Sequence, residues 1–323
     1  MSSPNITSAV SRPDVRDAVY REWDLNRTGR LFVADLVLPR CDVEFANGRY
    51  KKISREEVLK RVNNLRGPDG RYAAGSFKVT ETTFDTEERG GTMPIDRNKA
   101  AQLNGYFDSR REAAGILLFQ HTLEHEILVA GLIQATGTFG NADVAVKWLT
   151  YSTATPLTDI DVGKAAVLNG IGLPANTVVM ADATWEAFRK CDQVLDRIGF
   201  AGGNADPRMV TRQAAAAILD VDQVVVGAAR YNTAKEGQAA SLAGVWDSDK
   251  VWIGYVAPAP RLDTMCAGFN LHWPGDGSEY GWRVEEYYDE DVRSDVVRVR
   301  RQVKPAIRAA SCGYIKTAAL TKA

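Results

Sequence analysis

"DRNKAAQLNGYFDSRREAAGILLFQHTLEHEILVAGLIQATG" (Asp96–Gly137) reads as one long helix. Asp96, just after Pro94, suits an N-cap, and Gly137 suits a C-terminal stop. Ile116, Phe119, Leu123, Ile127 and Ala130 step by 3, 4, 4 and 3 residues, which draws one apolar stripe. Leu118, Leu128 and Leu132 fall on the opposite side, so the helix is expected to be sandwiched rather than solvated. At about 1.5 Å per residue it would run for about 60 Å, unusually long for a globular domain.

Inside this helix lies "HTLEH": His121, Glu124 and His125. The pattern matches H-x-x-E-H, in which histidines one turn apart share a helix face and bind zinc while the glutamate activates water. Against zinc stand the apolar neighbours Leu118, Leu128 and Leu132, and no downstream acidic motif supplies a third ligand. The only other histidine, His272, sits beside a turn. Packing is therefore the expected role, and a zinc hydrolase built on His121, Glu124 and His125 is the rival.

Upstream, about 44 to 92 is long, charged and broken by Gly48, Gly67-Pro68, Asp69-Gly70, Gly75 and Gly90-Gly91. Alternation such as Phe77, Val79 hints at strands, yet few residues could feed a core. Loops in compact domains are mostly about 4–6 residues, so this segment is expected to lie on something else. Residues 1 to about 35, with Pro4 and Pro13, read as a polar arm.

Downstream, a helix is expected over about Thr158–Asn169, then a strand at Thr177–Met180. Two further helices, "ATWEAFRKC" and "DPRMVTRQAAAAIL", precede the strand "DQVVVG". The last third is strand-rich: "VWIGYV", "YGWRVEEYY", "DVVRVRRQV" and "CGYIKTAAL". The chain is α+β, without repeats or regular βαβ alternation.

The other motifs fail on context. "NGIGLPA" (Asn169–Ala175) has the dinucleotide-loop glycines, but a helix precedes it and a strand follows, so it is a helix stop. Ala228–Ser241 contains Gly227-flanked small residues, Lys235 and Gly237 but no G-x-x-x-x-G-K-[ST], so no phosphate cradle is expected. "EEYYDEDVRSD" offers carboxylates, but a calcium loop would need glycine where Ser294 stands and glutamate where Arg300 stands. Three histidines so placed give no Ser/His/Asp order. No catalytic, cofactor or metal residue is assigned.

Over 323 residues, net charge is −1, with 45% hydrophobic and 25% charged residues, which fits a globular chain without a basic nucleic-acid face. Cys41, Cys191, Cys266 and Cys312 are scattered and suit a reducing compartment. The first residues lack a signal-peptide core, and the apolar stretches are expected to be too short for a membrane span, so a soluble intracellular protein is expected.

Seven stretches then occur in order: "FVADLVLPRCDVEFANGRYKK", "PLTDIDVGKAAV", "NTVVMADATWEAF", "VDQVVVGAARYNTAKEGQ", "VWDSDKVWIGYVAP", "RVEEYYDEDVRSDVVRVR" and "GYIKTAAL". Together, from about Phe32 to Ala319, they resemble the major capsid protein of tailed bacteriophages, the Hong Kong 97 fold. The resemblance implies an N-terminal arm (1–37) and an extended β-hairpin loop (44–92) reaching a neighbouring subunit. It further implies a peripheral domain (93–157 and 280–323) with a spine helix at about 96–137, and an axial domain (158–279). By the same resemblance, copies close as pentamers and hexamers into a head shell in the virion, assembled in the host cytoplasm. That shell encloses double-stranded DNA without sequence-specific binding, with a portal and scaffolding or decoration proteins as partners. Inter-subunit contacts are expected from Lys51, Lys52, Arg55, Phe77, Glu87, Glu88, Arg89, Tyr231, Asn232, Lys235 and Glu236. No long helical N-terminal region that could act as a built-in scaffold is present, which implies a separate scaffold or none. Within the fold, the rival is an encapsulin-like nanocompartment shell.

Overall fold

Backbone pairing divides the strands between two main sheets and two separate ribbons. The computed structural model describes residues 10–11, 31–53, 59, 61, 78–98, 109–200, 210–278 and 281–321, without the side chains of Val10, Ser11, Lys52 and Phe200. In chain order, β1 (Val10–Ser11), α1 (Ala34–Val37), β2 (Arg40–Asp42), β3 (Asn47–Ile53), β4 (Val79–Asp85) and β5 (Glu87–Asp96) lead to the long helix α2 (Ser109–Ile133). β6 (Gly140–Asp143), α3 (Pro156–Ile171), β7 (Thr177–Ala181), α4 (Asp182–Phe188), α5 (Asp192–Phe200), α6 (Arg212–Leu219) and β8 (Gln223–Gly227) follow. The chain ends through β9 (Arg230–Asn232), β10 (Leu242–Gly244), β11 (Val251–Gly254), β12 (Gly268–His272), β13 (Arg283–Asp289), β14 (Ser294–Ile307) and β15 (Gly313–Thr317).

One sheet runs β1-β13-β14-β12-β2, with β5 on the other edge of β14. The other runs β6-β15-β11-β7-β8, with β7 and β8 parallel. All five residues of β7 are buried, which is why "TVVMA" is one apolar run rather than an alternation. Trp148, Ile160, Val178 and Ile253 belong to the core on the side of this sheet that α3 covers. Gly172 ends α3 in the left-handed region at φ 76°, its N–H bonded to Leu168 O, as expected of a helix stop.

Asp96 ends β5 and, as expected of an N-cap, its carboxylate accepts from Asn98 N–H (2.8 Å) where residues 97–98 turn helical. Several other expectations are corrected. α2 stops at Ile133, four residues before Gly137. Its buried face is Ala113, Ala114, Leu117, Leu118, His125, Glu126, Val129, Ala130 and Ile133, whereas Ile116 and Phe119 are 46% and 39% exposed. The N-terminal part of the expected stripe, Ile116 and Phe119, therefore points away from the sheet, because Ala113, Leu117 and Leu118 are the residues turned onto Val284, Val297 and Val299, while Ala130 of the same stripe is buried. By length and composition α2 is apolar enough to cross a membrane, against the sequence reading; that composition here serves the packed face.

Residues 44–92 are not one loop. β3 and β4 form a two-stranded ribbon, but from Glu87 the chain is β5, bonded to β14 over ten residue pairs. Gly90 and Gly91 read as punctuation, yet they serve close approach: a Cβ on Gly90 would collide with Val299 O. Pro94 is tolerated because β5 pairs on one side only. The expected division at 158 and 280 also differs from the sheets. β6 and β15 complete the sheet of β7, β8 and β11, while β12 joins β13 and β14.

Gly227 lies so close to Trp246 that a Cβ there would overlap the indole ring. Gly227→Ala is expected to cost about 1–3 kcal/mol through overpacking, read from urea unfolding of the purified chain with Gly244→Ala as the less crowded control.

Candidate functional site

The histidine motif lies on α2 where the helix crosses β5. The His121 ring centroid is 5.6 Å from that of Trp282, and a Cβ on Gly91 would sit 2.6 Å from His121 Nε2. His125 is buried, its Nε2 3.6 Å from Asp35 Oδ1. Burial and the nearby Arg301 charge lower both histidines' pKa values, which favours neutral rings. Glu124 is exposed while His125 is not, so the motif does not converge on one open coordination site. Among the described residues, no three His, Cys, Asp or Glu side chains could hold a metal ion.

A different histidine has the connectivity that the sequence concealed. His272 Nδ1 lies 3.0 Å from Asp42 Oδ1, and Nε2 lies 3.0 Å from Ser278 Oγ. Acid, imidazole and hydroxyl are thus in the order of a serine hydrolase. Two features disable it. Ser278 is fully buried, and its hydroxyl donates to Asp276 Oδ1, leaving no proton directed at the ring and no path for a carbonyl. The chain of contacts instead fastens β2 to β12 and to the turn Pro274–Asp276. Asp42 and His272 are 230 positions apart, so no spacing rule could have signalled the pair.

The charge run on β13 and β14 is paired. Glu285 receives Arg283 (2.6 Å), Arg298 and Arg300 (3.4 Å), while Asp295 receives Arg97 (2.9 Å) and Arg110 (2.6 Å). Burial alone would raise both carboxyl pKa values, but these guanidinium bonds outweigh it and hold both below their usual values.

The candidate contact residues divide into groups. Lys51 stands exposed on the ribbon, where Tyr50 lies against Phe84 and Arg49 is 3.6 Å from Glu81. Arg55 and Phe77 lie outside the described residues, as does the side chain of Lys52. Glu87, Glu88 and Arg89 belong to β5 and are engaged within the chain: Glu87 with Lys304 (2.9 Å) and Arg89 (2.6 Å), Glu88 with Arg300 (3.4 Å). Those three are corrected from a projecting loop to a sheet edge. Tyr231, Asn232, Lys235 and Glu236 sit on or beyond the β9–β10 ribbon. Asn232 Oδ1 closes its turn by accepting from Ala234 N (3.1 Å) and Ser241 N (3.0 Å), so Ala228–Ser241 is a hairpin rather than a cradle. At its base an open cleft of about 410 Å³ is bounded by Asp182, Gly227, Arg230 and Trp246. All four cysteines are free and buried, and burial pushes Cys191 and Cys266 up to about 12.

No family model matches the sequence. The chain is 22% identical over 315 residues to the major capsid protein of Burkholderia phage BcepMu, covering 95% of this chain and 97% of that one. It is 24% identical over 297 residues to the major capsid protein of Pseudomonas phage JBD67, covering 89% and 91%. Among solved structures, a phage-related protein from Bordetella bronchiseptica RB50 superposes with TM-score 0.68 at 18% identity, covering 96% and 98%. The capsid of Cyanophage P-SCSP1u gives 0.59 at 11%, covering 91% and 89%. An encapsulin from Synechococcus elongatus gives 0.51 at 10%, covering 90% and 88%.

Two outcomes are expected. Glu285 and Asp295 are carboxylates with depressed folded pKa values, so their stabilisation is present above the usual 4.5 and 3.8 and is lost as pH falls through the folded values. Acid unfolding followed by circular dichroism should steepen below about pH 4.5, and Glu285→Gln should flatten that limb. A fluorophosphonate probe should leave Ser278 unlabelled; labelling abolished by Ser278→Ala would show that the hydroxyl is a working nucleophile.

Proposed function

We infer that this chain, which has the Hong Kong 97 capsid fold, is the major capsid protein of a tailed bacteriophage, its copies closing into the head shell around the viral genome. The observation that carries this beyond the fold is the β3–β4 ribbon. It pairs seven residues with seven and joins neither main sheet. A two-stranded ribbon alone is marginal in water, and this one exposes Ile53 (48%) and Val79 (40%). A second copy supplies what it lacks. Ring-closing heterologous contacts of that kind build closed shells.

In this reading residues 1–37 are the arm, the ribbon is the extended loop, and α2 is the spine of the peripheral domain. Lys51, with Lys52, Arg55 and Phe77, meets the adjacent subunit. Tyr231, Asn232, Lys235 and Glu236 approach the capsomer centre from the axial domain. Portal and scaffolding or decoration proteins complete the particle. A net charge of −1 suits a wall that contains DNA without gripping it. The encapsulin likeness supports a second reading, a shell around an enzyme cargo.

Negative-stain images of the purified, concentrated protein should show closed particles, and nuclease-protected DNA rather than a cargo enzyme should distinguish a virion. Replacing 51–81 with a short Gly-Ser turn, which spares β5, should leave a soluble folded subunit that builds no stable shells. Particles of normal size and heat resistance from that deletion would show the ribbon to be an ordinary surface feature.

A further inference from the structure

Glu126 directly follows the histidine motif and was not singled out by it. The residue is 0% exposed, yet it forms no ion pair among the described residues. N–H groups meet its carboxylate instead. Val33 N lies 3.0 Å from each oxygen, Ala34 N lies 2.8 Å from Oε2, and Trp246 Nε1 lies 2.6 Å from Oε1. A buried carboxylate is costly unless donors take its lone pairs, and three donors here do so.

Those donors come from two parts of the chain remote from α2. Val33 and Ala34 begin α1, and their amides have no acceptor within that helix. Trp246 stands just ahead of β11, against Gly227. Next to Glu126, His125 faces Asp35, which also accepts from Asn270 Nδ2 (3.0 Å) on β12. This turn of α2 therefore holds the start of α1 through the hydrogen bonds to Glu126, with the buried His125 ring packed beside them.

We propose that Glu126 is a positioning residue that pins the start of α1, residues 33–38, to α2, and so holds it in the arrangement from which copies of the chain assemble. The second half rests on the shell reading above; the first does not. Glutamine at this position keeps the shape but turns an NH2 group toward N–H donors. The pin then loses at least one bond and gains a donor–donor clash.

Amide hydrogen exchange on the full-length, unassembled subunit tests the pin. In the wild type the Val33 and Ala34 amides should be protected; if they exchange freely, the proposal fails whatever any variant does. In Glu126→Gln, amides in 33–38 should exchange about tenfold faster or more, while β7 and β11 stay protected. Trp246→Phe removes only the indole donor and should leave 33–38 unchanged. Equal loosening by both variants, or none in Glu126→Gln, would make Glu126 a general packing residue and overturn the assignment. Under assembly conditions, Glu126→Gln should give particles of mixed size. Uniform wild-type-sized particles from the loosened variant would overturn the second half. Wild-type subunits that never form particles would sink the shell reading and leave the pin standing.

Discussion

β14 is hydrogen-bonded along both edges, and the six-stranded sheet hangs on that fact. β13 and β12 occupy successive lengths of one edge, at Ser294–Arg300 and Val303–Ile307, while β5 covers Ser294–Val303 on the other. A buried strand must satisfy every backbone N–H and C=O, so each partner is required by the same fourteen residues. Three distant parts of the chain are thereby fixed relative to one another. α2 then has a flat apolar surface to lie on, made by Val297 and Val299 of β14 with Val284 of β13. The side chains follow the same logic, since Glu285 and Asp295 gather arginines from β14, residue 97 and α2.

Much of this was legible where local physics decides the outcome. The α3 helix and its Gly172 stop, the buried run of β7, and the β8 strand are set by residues within a few positions of one another. The ordered stretches from Phe32 to Ala319 carried the fold through resemblance. What escaped depends on partners far away. Ile116 and Phe119 have helical spacing as good as that of Ala113 and Leu117, and only the position of β13 and β14 decides which face is covered. Gly90-Gly91 looks like a turn until β14 is brought against it.

The same limit applied to the polar sites. Glu126 resembled any helix glutamate, because its three donors lie about ninety positions before it and 120 after it. "HTLEH" drew the eye by pattern, while the glutamate one position beyond it is the buried one. Asp42, His272 and Ser278 likewise meet only because β2 runs parallel to β12. Context from the fold, more than residue type, separated packing from chemistry at each of these places.

The cysteines bear on what happens to such a particle outside its place of assembly. Four buried thiols, two of them pushed far from thiolate formation, present no sulfur for exchange. A container made of this chain would cross from reducing cytosol to aerated surroundings without acquiring or losing a disulfide between its walls. Its response to the new surroundings then comes through its charges, which acidity and salt both reach.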